Sequence, residues 1–244
     1  MKAILLLIAI LFCCSTSNIL LAQQTGFGVK GGLTIGLQKE LYPLVSYHGD
    51  IFYESLTEWK GDTEGKQSRI GFVGQLGYHR KGVSYTNGRS FGGNAANYSI
   101  EDVFHNISVA ALLKGSYQWG KFAPYWAGGI RGDVTVDFDL VSDGQVNVAQ
   151  PQVNRVMLGF WLGGGIEWEA PKSPFGFFIE INVSPDLTPQ VVKRERLVFN
   201  QSTGLYSVAY INPAEKILNI ALEVSAGVKF INRPEWEDEI LEAF

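Results

Sequence analysis

The sequence predicts an all-β fold, an eight-stranded antiparallel up-and-down transmembrane β-barrel. Three features of the 244-residue chain predict it: an export leader, eight segments in which apolar and polar residues alternate, and connections that are alternately short and long. Alternation with a period of two places successive side chains on opposite faces of a strand. Segments of about ten residues or more, apolar on one face and polar on the other, are typical of membrane barrels.

The N-terminus predicts a secretory signal peptide over residues 1–22. Met1 and Lys2 precede the apolar run "AILLLIAILFCC", a polar patch and Ala22, so we expect cleavage after Ala22 or Gln23. A lipoprotein signal at Cys13 or Cys14 is the alternative, although "ILFCC" lacks the small residues expected before a lipidated cysteine. No other cysteine is present, so a large core or a closed sheet must hold the mature chain without disulfides.

The stretch "VMLGFWLGGGIEWE" at 156–169 shows the alternation best. Its even positions are all apolar or glycine, whereas its odd positions combine glycine with Trp161, Glu167 and Glu169. The odd position before it, Arg155, continues the polar face. The same sorting predicts eight strands at 26–38, 47–59, 69–81, 104–119, 122–140, 155–169, 175–186 and 216–230.

A soluble sandwich or a lipocalin-like barrel would also alternate. Its solvent face should be dense in Lys and Glu, but here the second face carries Gly, Ser, Asn and charges of both signs. Aromatic residues near strand ends, Trp59, Trp119 and Trp168, suit an interfacial girdle. The pattern therefore favours the membrane barrel.

The connections predict which way the barrel faces. Short turns at 60–67, 120–121 and 171–174 alternate with mostly longer loops at 39–46, 86–103, 141–152 and 187–215. Outer-membrane barrels have short periplasmic turns and long extracellular loops. We expect a barrel over 23–231 with both termini in the periplasm, followed by a short acidic periplasmic tail at 232–244.

The polar faces predict a charged network in the lumen. Its expected members are Lys30, Asp50, Glu54, His79, Lys114, Arg131, Asp133, Arg155, Glu167, Glu180 and Glu223, and Lys81, Asp137 and Lys229 have the same parity. Cations and anions nearly balance, as buried charges require. An eight-stranded barrel is only just wide enough for its own side chains, so we expect a plugged lumen. Gly159, Gly163 and Gly165 would leave room for Arg131 and Trp161.

Catalytic and metal sites are not predicted. Barrel enzymes that trim or transfer lipid acyl chains use a histidine with a serine and a carboxylate. His105 and Ser108 fall on opposite faces, as do His79 and Ser84, so His48, His79 and His105 are expected to be structural lumen residues. "LGGGIE" lacks the Lys-Ser/Thr of a phosphate loop. We expect no cofactor, and a net charge of −4 does not favour nucleic acid.

The longest loop predicts a contact surface. "VVKRERLVF" and "GLYSVAYI" flank "NQSTG", which suggests a hairpin. The hairpin is either a contact surface or a solvated tip. As a contact surface it would bind a ligand, lipopolysaccharide or another protein. The contact candidates are Lys193, Arg194, Arg196, Phe199 and Tyr206.

The chain resembles the PorT-like outer-membrane β-barrel proteins of Bacteroidetes. The resemblance lies in "FGVKGGLTIG", "ISVAALLKGSYQWGKFAPYWAGGIRGDV", "LGFWLGGGIEWE" and "LEVSAGVKF", and spans nearly all of the mature chain. It implies an integral outer-membrane barrel, and some members support type IX secretion and gliding. In the family the last strand ends on an aromatic residue that the assembly machinery reads. Phe230 fits, although fourteen residues follow it. No catalytic residue is implied.

The predicted function is that of a non-enzymatic, monomeric outer-membrane barrel with a plugged polar lumen. It would act as a structural or binding protein through its extracellular loops, or as an accessory subunit of an envelope complex. A narrow channel for small solutes and a lipid-modifying enzyme of the outer membrane are the alternatives.

Overall fold

The computed structural model describes residues 24–37, 42–57, 59–61, 67–91, 94–142, 152–169, 173–189, 191–200, 205–211 and 220–232. The predicted signal peptide and the tail beyond Asn232 lie outside these residues. Within them, no helix is both long enough and apolar enough to span a membrane.

The described chain is built from strands alone. They are β1 (Gln24–Leu37), β2 (Tyr42–Leu56), β3 (Lys60–Gly61), β4 (Gln67–Phe91), β5 (Asn94–Tyr117), β6 (Phe122–Ser142), β7 (Gln152–Val153), β8 (Val156–Glu169), β9 (Phe175–Pro185), β10 (Val191–Asn200), β11 (Leu205–Ile211) and β12 (Ile220–Asn232).

Eight of these strands close into a barrel. They pair antiparallel in the order β2-β1-β12-β9-β8-β6-β5-β4, and β4 pairs back onto β2. The first and last strands meet over a continuous register from Thr25↔Asn232 to Leu37↔Ile220. Closure leaves the wall without a free edge, and the predicted eight-stranded antiparallel up-and-down barrel is confirmed.

Both ends of the described chain and the three short connections lie at one end of the barrel, here called the turn end. The tightest connection is the two-residue turn at 120–121, flanked by hydrogen bonds of 2.7 and 3.0 Å between Trp119 and Phe122. Gly120 has a φ of 62° there, a conformation that glycine adopts without steric cost. The opposite end, where the connections after β6 and β9 are the longest, is called the loop end.

The barrel is apolar outside and polar inside. Exposed outward side chains are mostly aliphatic or aromatic, as in Leu162 (58% exposed) and Ile179 (63%), whereas Asp133, Glu167 and Lys229 are fully buried in the lumen. A soluble barrel would show the reverse, because its core must hold the apolar face. The outer wall is therefore suited to lipid.

Aromatic residues surround the turn end, as the sequence predicts for an interfacial girdle. Trp119, Phe122, Trp168, Phe175 and Phe230 are all exposed there. Trp59 differs from the expectation, because it is half-buried and its ring packs on the guanidinium of the lumen residue Arg69, 4.2 Å away.

The loop end contains more strand than the sequence indicates. β4 and β5 pair without interruption to Phe91↔Asn94, through most of the predicted loop at 86–103. β2 follows β4 only to Tyr42↔Ser84, so a two-stranded hairpin continues beyond the wall. The residues of this part, such as "TNGRSF" and "NAAN", have the composition of turns and do not alternate between apolar and polar, so the pattern predicts a loop.

A second hairpin occupies the connection at 187–215. β10 and β11 pair from Arg194↔Ile211 to Asn200↔Leu205, and β10 also pairs with the short β7. The expected strand–"NQSTG"–strand arrangement is therefore present in the backbone, separate from the barrel wall. Residues 143–151 of the predicted loop at 141–152 lie outside the described residues.

A β-bulge in β6 corrects the placement of Asp137, and the parity of β5 corrects that of His105, both of which the sequence predicts to face the lumen. Asn106 pairs with Thr135 but His105 pairs with Asp137, so Val136 has no partner and the inside–outside parity of β6 reverses beyond it. Asp137 is consequently exposed on the outer face. His105 also lies outward, where it contacts Tyr78 and Asp139, and it is not a lumen histidine.

We predict that Gly165→Ala lowers the unfolding free energy by about 1–3 kcal/mol, since a larger side chain overpacks the wall. A Cβ at Gly165 would lie 2.2 Å from the Ile179 carbonyl oxygen and 2.9 Å from the Tyr125 ring. Urea titration of the barrel refolded in lipid vesicles, followed by tryptophan fluorescence, measures the change.

The matched control is Gly74→Ala, whose Cβ would meet no atom within 4 Å. It should leave the stability unchanged or raise it by less than about 1 kcal/mol. Equal effects of the two substitutions would contradict the close packing inferred at Gly165.

Candidate functional site

The lumen is filled by layers of side chains, the first of which closes the turn end. Two of its carboxylates come from β8 and the other groups from β2, β4, β5 and β12. We call this layer the turn-end cluster: Glu54, Arg69, Lys114, Glu167, Glu169 and Lys229.

Every charge in the turn-end cluster is paired. The Lys229 ammonium lies 2.8, 2.9 and 2.8 Å from carboxylate oxygens of the three glutamates. Lys114 donates to Glu54 at 2.7 Å and also to Glu167. Arg69 donates to Glu167 at 3.3 Å and to Glu169 at 2.6 Å. Three cations meet three anions, so the cluster is neutral and the desolvation of each charge is offset by its neighbours.

An apolar layer lies above the turn-end cluster. Its members are Phe52, Val73, Ala110, Leu112, Ala127, Trp161 and Phe178. One ion pair crosses this level, between Lys30 and Glu180 at 2.6 Å, and the Tyr125 hydroxyl donates to Glu180 at 2.8 Å. The Lys30 ammonium lies 5.1 Å from the centre of the Trp161 ring, a cation–π contact.

Between these two layers lies a cavity of about 20 Å³. Its lining includes Glu54, Lys114 and Glu167 from below and Phe52 and Phe178 from above. A volume of this size holds about one water molecule and no organic solute.

A histidine layer follows toward the loop end. His79 bridges two carboxylates, Asp50 at 2.9 Å and Glu223 at 3.0 Å. His48 stacks on His79 with ring centres 5.3 Å apart. All four side chains are buried, so the two rings and the two carboxylates form one contiguous polar layer across the lumen.

The last layer, the loop-end cluster, contains Lys81, Arg131, Asp133 and Asp186. Lys81 pairs with Asp133 at 2.8 Å. Arg131 lies 3.1 Å from the same carboxylate and also donates a hydrogen bond to Asp186. Asp133 and Asp186 each keep one oxygen without a hydrogen-bond partner among the described residues. Two cations again meet two anions, so this layer is also neutral.

The structure places ten of the eleven predicted lumen residues inside the barrel, all of them buried. Arg155 is the exception, and its placement is corrected. It lies in a bend before β8 and is exposed, while its carbonyl accepts a hydrogen bond from the Thr135 amide at 2.8 Å. Parity predicts the face only within a regular strand, and β8 begins at Val156.

Sequence reasoning missed three residues that carry charge in the lumen, Arg69, Glu169 and Asp186. Each shares the parity of the lumen face of its segment, so the signal was present in the alternation. Gly159 does lie beside Arg131, because a Cβ there would be 3.3 Å from the Arg131 Nη2 atom.

The loop contact candidates lie on the β10–β11 hairpin. Phe199 is the backbone partner of Tyr206, and Lys193 is the partner of Gln152. Arg194 and Arg196 are two positions apart in β10, so their register positions belong to the same face. The backbone of all five is described and their side chains lie outside the description.

A serine–histidine pair exists in the lumen, but its surroundings differ from those of a hydrolase. His48 Nε2 lies 2.8 Å from Ser225 Oγ, and its Nδ1 lies 2.9 Å from the Thr34 hydroxyl, where a catalytic triad would place a carboxylate. All three residues are buried. Among the described residues, no group of three His, Cys, Asp or Glu side chains is arranged to hold a metal ion.

No protein-family model and no curated protein matches the chain. Among solved structures, the chain is similar to Ail, the attachment invasion locus protein of Yersinia pestis, with 10% identity, 86% of this chain and 99% of that chain covered, and a TM-score of 0.38. It is also similar to the outer membrane protease OmpT of Escherichia coli, with 10% identity, 86% and 97% covered, and a TM-score of 0.38. Nothing about function follows from likenesses at this level.

We predict that Lys229→Met lowers the unfolding free energy by about 3–5 kcal/mol, because it leaves buried carboxylates without a counter-charge. Lys229 contacts all three glutamates of the turn-end cluster. The urea titration in vesicles measures the loss.

Lys121→Met is the control, since Lys121 is exposed in the turn before β6. The double substitution Glu54→Gln with Lys229→Met should recover part of the loss, because it restores the charge balance of the cluster. If the loss of unfolding free energy in the double variant equals the sum of the losses in the two single variants, the proposed coupling is contradicted.

Proposed function

We propose that the protein is an integral outer-membrane barrel with a plugged lumen, without enzymatic activity, that acts through the structures at its loop end. In this proposal it binds a ligand or an envelope protein there, or serves as an accessory subunit of an envelope complex. The resemblance to PorT-like proteins favours a complex of the type IX secretion kind.

The filled lumen is the observation that carries this proposal. Paired charges block the barrel at the turn end, and an apolar layer containing Trp161 lies directly above them. The cavity between the two layers is about 20 Å³. A solute would have to break several buried ion pairs to pass, and each broken pair would leave an uncompensated charge.

The outer wall supports insertion in the membrane. Its exposed residues are apolar along the barrel strands, with aromatic residues around the turn end. A spanning β-structure must also close, because lipid cannot satisfy the backbone groups of a free edge. The predicted signal peptide would deliver the chain across the inner membrane, and the short turns would then face the periplasm.

The two hairpins at the loop end support a contact role. The β4–β5 hairpin continues past the wall, and β10 and β11 form a separate unit that does not pair with the barrel among the described residues. Neither hairpin is needed to close the barrel. Binding residues are often found on connecting segments that a rigid scaffold holds in place, and both hairpins are connections of this kind.

The lipid-modifying enzyme is the alternative with one observation in its favour, the contact between Ser225 and His48. Burial of both residues and the missing carboxylate at His48 Nδ1 weigh against it. An altered lipid A profile after deletion of the gene would favour this alternative over the binding role.

We predict that the wild-type barrel shows no stable channel openings in planar lipid bilayers, because its layers stay paired at neutral pH. A wide porin reconstituted in the same bilayers provides the control for sensitivity. A large and stable current from folded protein would contradict the plugged lumen and favour the narrow channel.

We predict that replacing residues 191–211 by a short Gly-Ser linker leaves the barrel folded but removes its binding partners. Folding is checked by heat-modifiable gel mobility in the outer-membrane fraction, and binding by co-purification from native membranes. The triple variant Lys193→Gln, Arg194→Gln, Arg196→Gln tests whether charge is responsible. An unchanged set of partners in the linker variant would contradict a contact role for this hairpin.

A further inference from the structure

A row of polar side chains crosses the outer wall near the loop end. Arg80 of β4 pairs with His105 of β5, and His105 pairs with Asp137 of β6. Tyr47 of β2 completes the row, since the Arg80 guanidinium carbon lies 5.9 Å from its ring centre. We call Tyr47, Arg80, His105 and Asp137 the outer row.

The outer row lies in the part of the apolar wall that is nearer to the loop end. Toward the turn end it is followed by exposed apolar residues, among them Leu76 and Ile107. Along β4, the ten steps from Ile70 to Arg80 rise roughly 33 Å, which a strand tilt of about 40° reduces to roughly 25 Å. That height matches the apolar band of a membrane barrel, so Arg80 is level with lipid headgroups.

Arg80 is the cation of this row that lacks an anion. In the lumen, Lys30, Lys81 and Lys229 each meet a carboxylate. Among the described residues no carboxylate pairs with the Arg80 guanidinium, whose contact is the Tyr47 ring.

Two carboxylates at this level, Asp137 of the row and Asp139 beside it, have other contacts. Asp139 pairs with His105 at 3.1 Å, and the Asp137 carboxylate accepts a hydrogen bond from the Phe138 amide at 2.9 Å. The Tyr78 hydroxyl contacts the other nitrogen of His105. Among the described residues the Arg80 guanidinium therefore has no carboxylate partner, which leaves its charge able to bind an external anion.

We propose that Arg80 and Tyr47 form a binding site for the phosphate of a membrane lipid in the outer leaflet. The guanidinium would donate two hydrogen bonds to phosphate oxygens, a geometry that suits arginine better than lysine. The acyl chains would lie on the apolar wall at Leu76 and Ile107, directly below. This inference rests on the proposed membrane location, in which the loop end faces outward and the lipid is phosphorylated lipid A.

The test is native mass spectrometry of the full-length mature barrel in detergent with added lipid A. The wild type is expected to retain lipid A carrying its phosphates and to release dephosphorylated lipid A. Arg80→Gln should lower retention about tenfold, as expected for the loss of a charge-assisted contact. Arg80→Lys keeps the positive charge but cannot donate the paired hydrogen bonds of a guanidinium, so this variant should retain an intermediate amount of lipid A.

Arg155→Gln is the matched control, because Arg155 is exposed and lies outside the row. It should retain lipid A like the wild type. Equal retention by Arg80→Gln and the wild type would overturn the site, and so would equal retention of the two lipid forms. Displacement of bound lipid A by millimolar inorganic phosphate would also overturn the lipid site, because it would identify free phosphate as the ligand. Heat-modifiable mobility in the outer-membrane fraction, measured on every variant, tests the membrane location separately.

Discussion

The neutralisation of charge inside the lumen is the constraint on which the rest of the structure depends. The wall is apolar on its outer face and side chains fill the interior, so a charged residue on the lumen face of a barrel strand must find its counter-charge across the lumen. The turn-end cluster meets this requirement with groups from five different strands. The lumen then becomes a stack of layers, of which the turn-end cluster and the loop-end cluster are each neutral. Each layer fixes the register of the strands that contribute to it.

Much of this arrangement could be predicted because a barrel wall obeys a strict period of two. The stretch from Val156 to Glu169 gave the correct face for Trp161 and Glu167, since nothing interrupts the regular strand β8. The same rule identified Lys30 and Glu180 as lumen residues. It could not identify them as partners, because parity gives the face of a residue but not its height or its neighbour across the lumen.

The remaining differences have local physical causes. The unpaired residue Val136 reverses the parity of β6, and nothing in the sequence around Val136 predicts a bulge there. Arg155 lies before the first regular residue of its strand, where alternation has no meaning. The outer part of the β4–β5 hairpin extends past the end of β2 and consists of turn-forming residues without alternation, so its sequence resembles a loop.

The position of Lys229 has a consequence for the order of assembly. This lysine belongs to β12, the last strand of the barrel, and its partners Glu54 and Glu167 lie on strands made earlier. Without it, the turn-end cluster would hold three carboxylates and two cations, a net charge of −1. A barrel without β12 would therefore hold one negative charge without a counter-charge in this cluster, and the docking of β12 would neutralise it. Closing the seam between β1 and β12 also brings Lys229 to Glu54 of β2, so the last step of barrel closure completes the charge balance of the cluster.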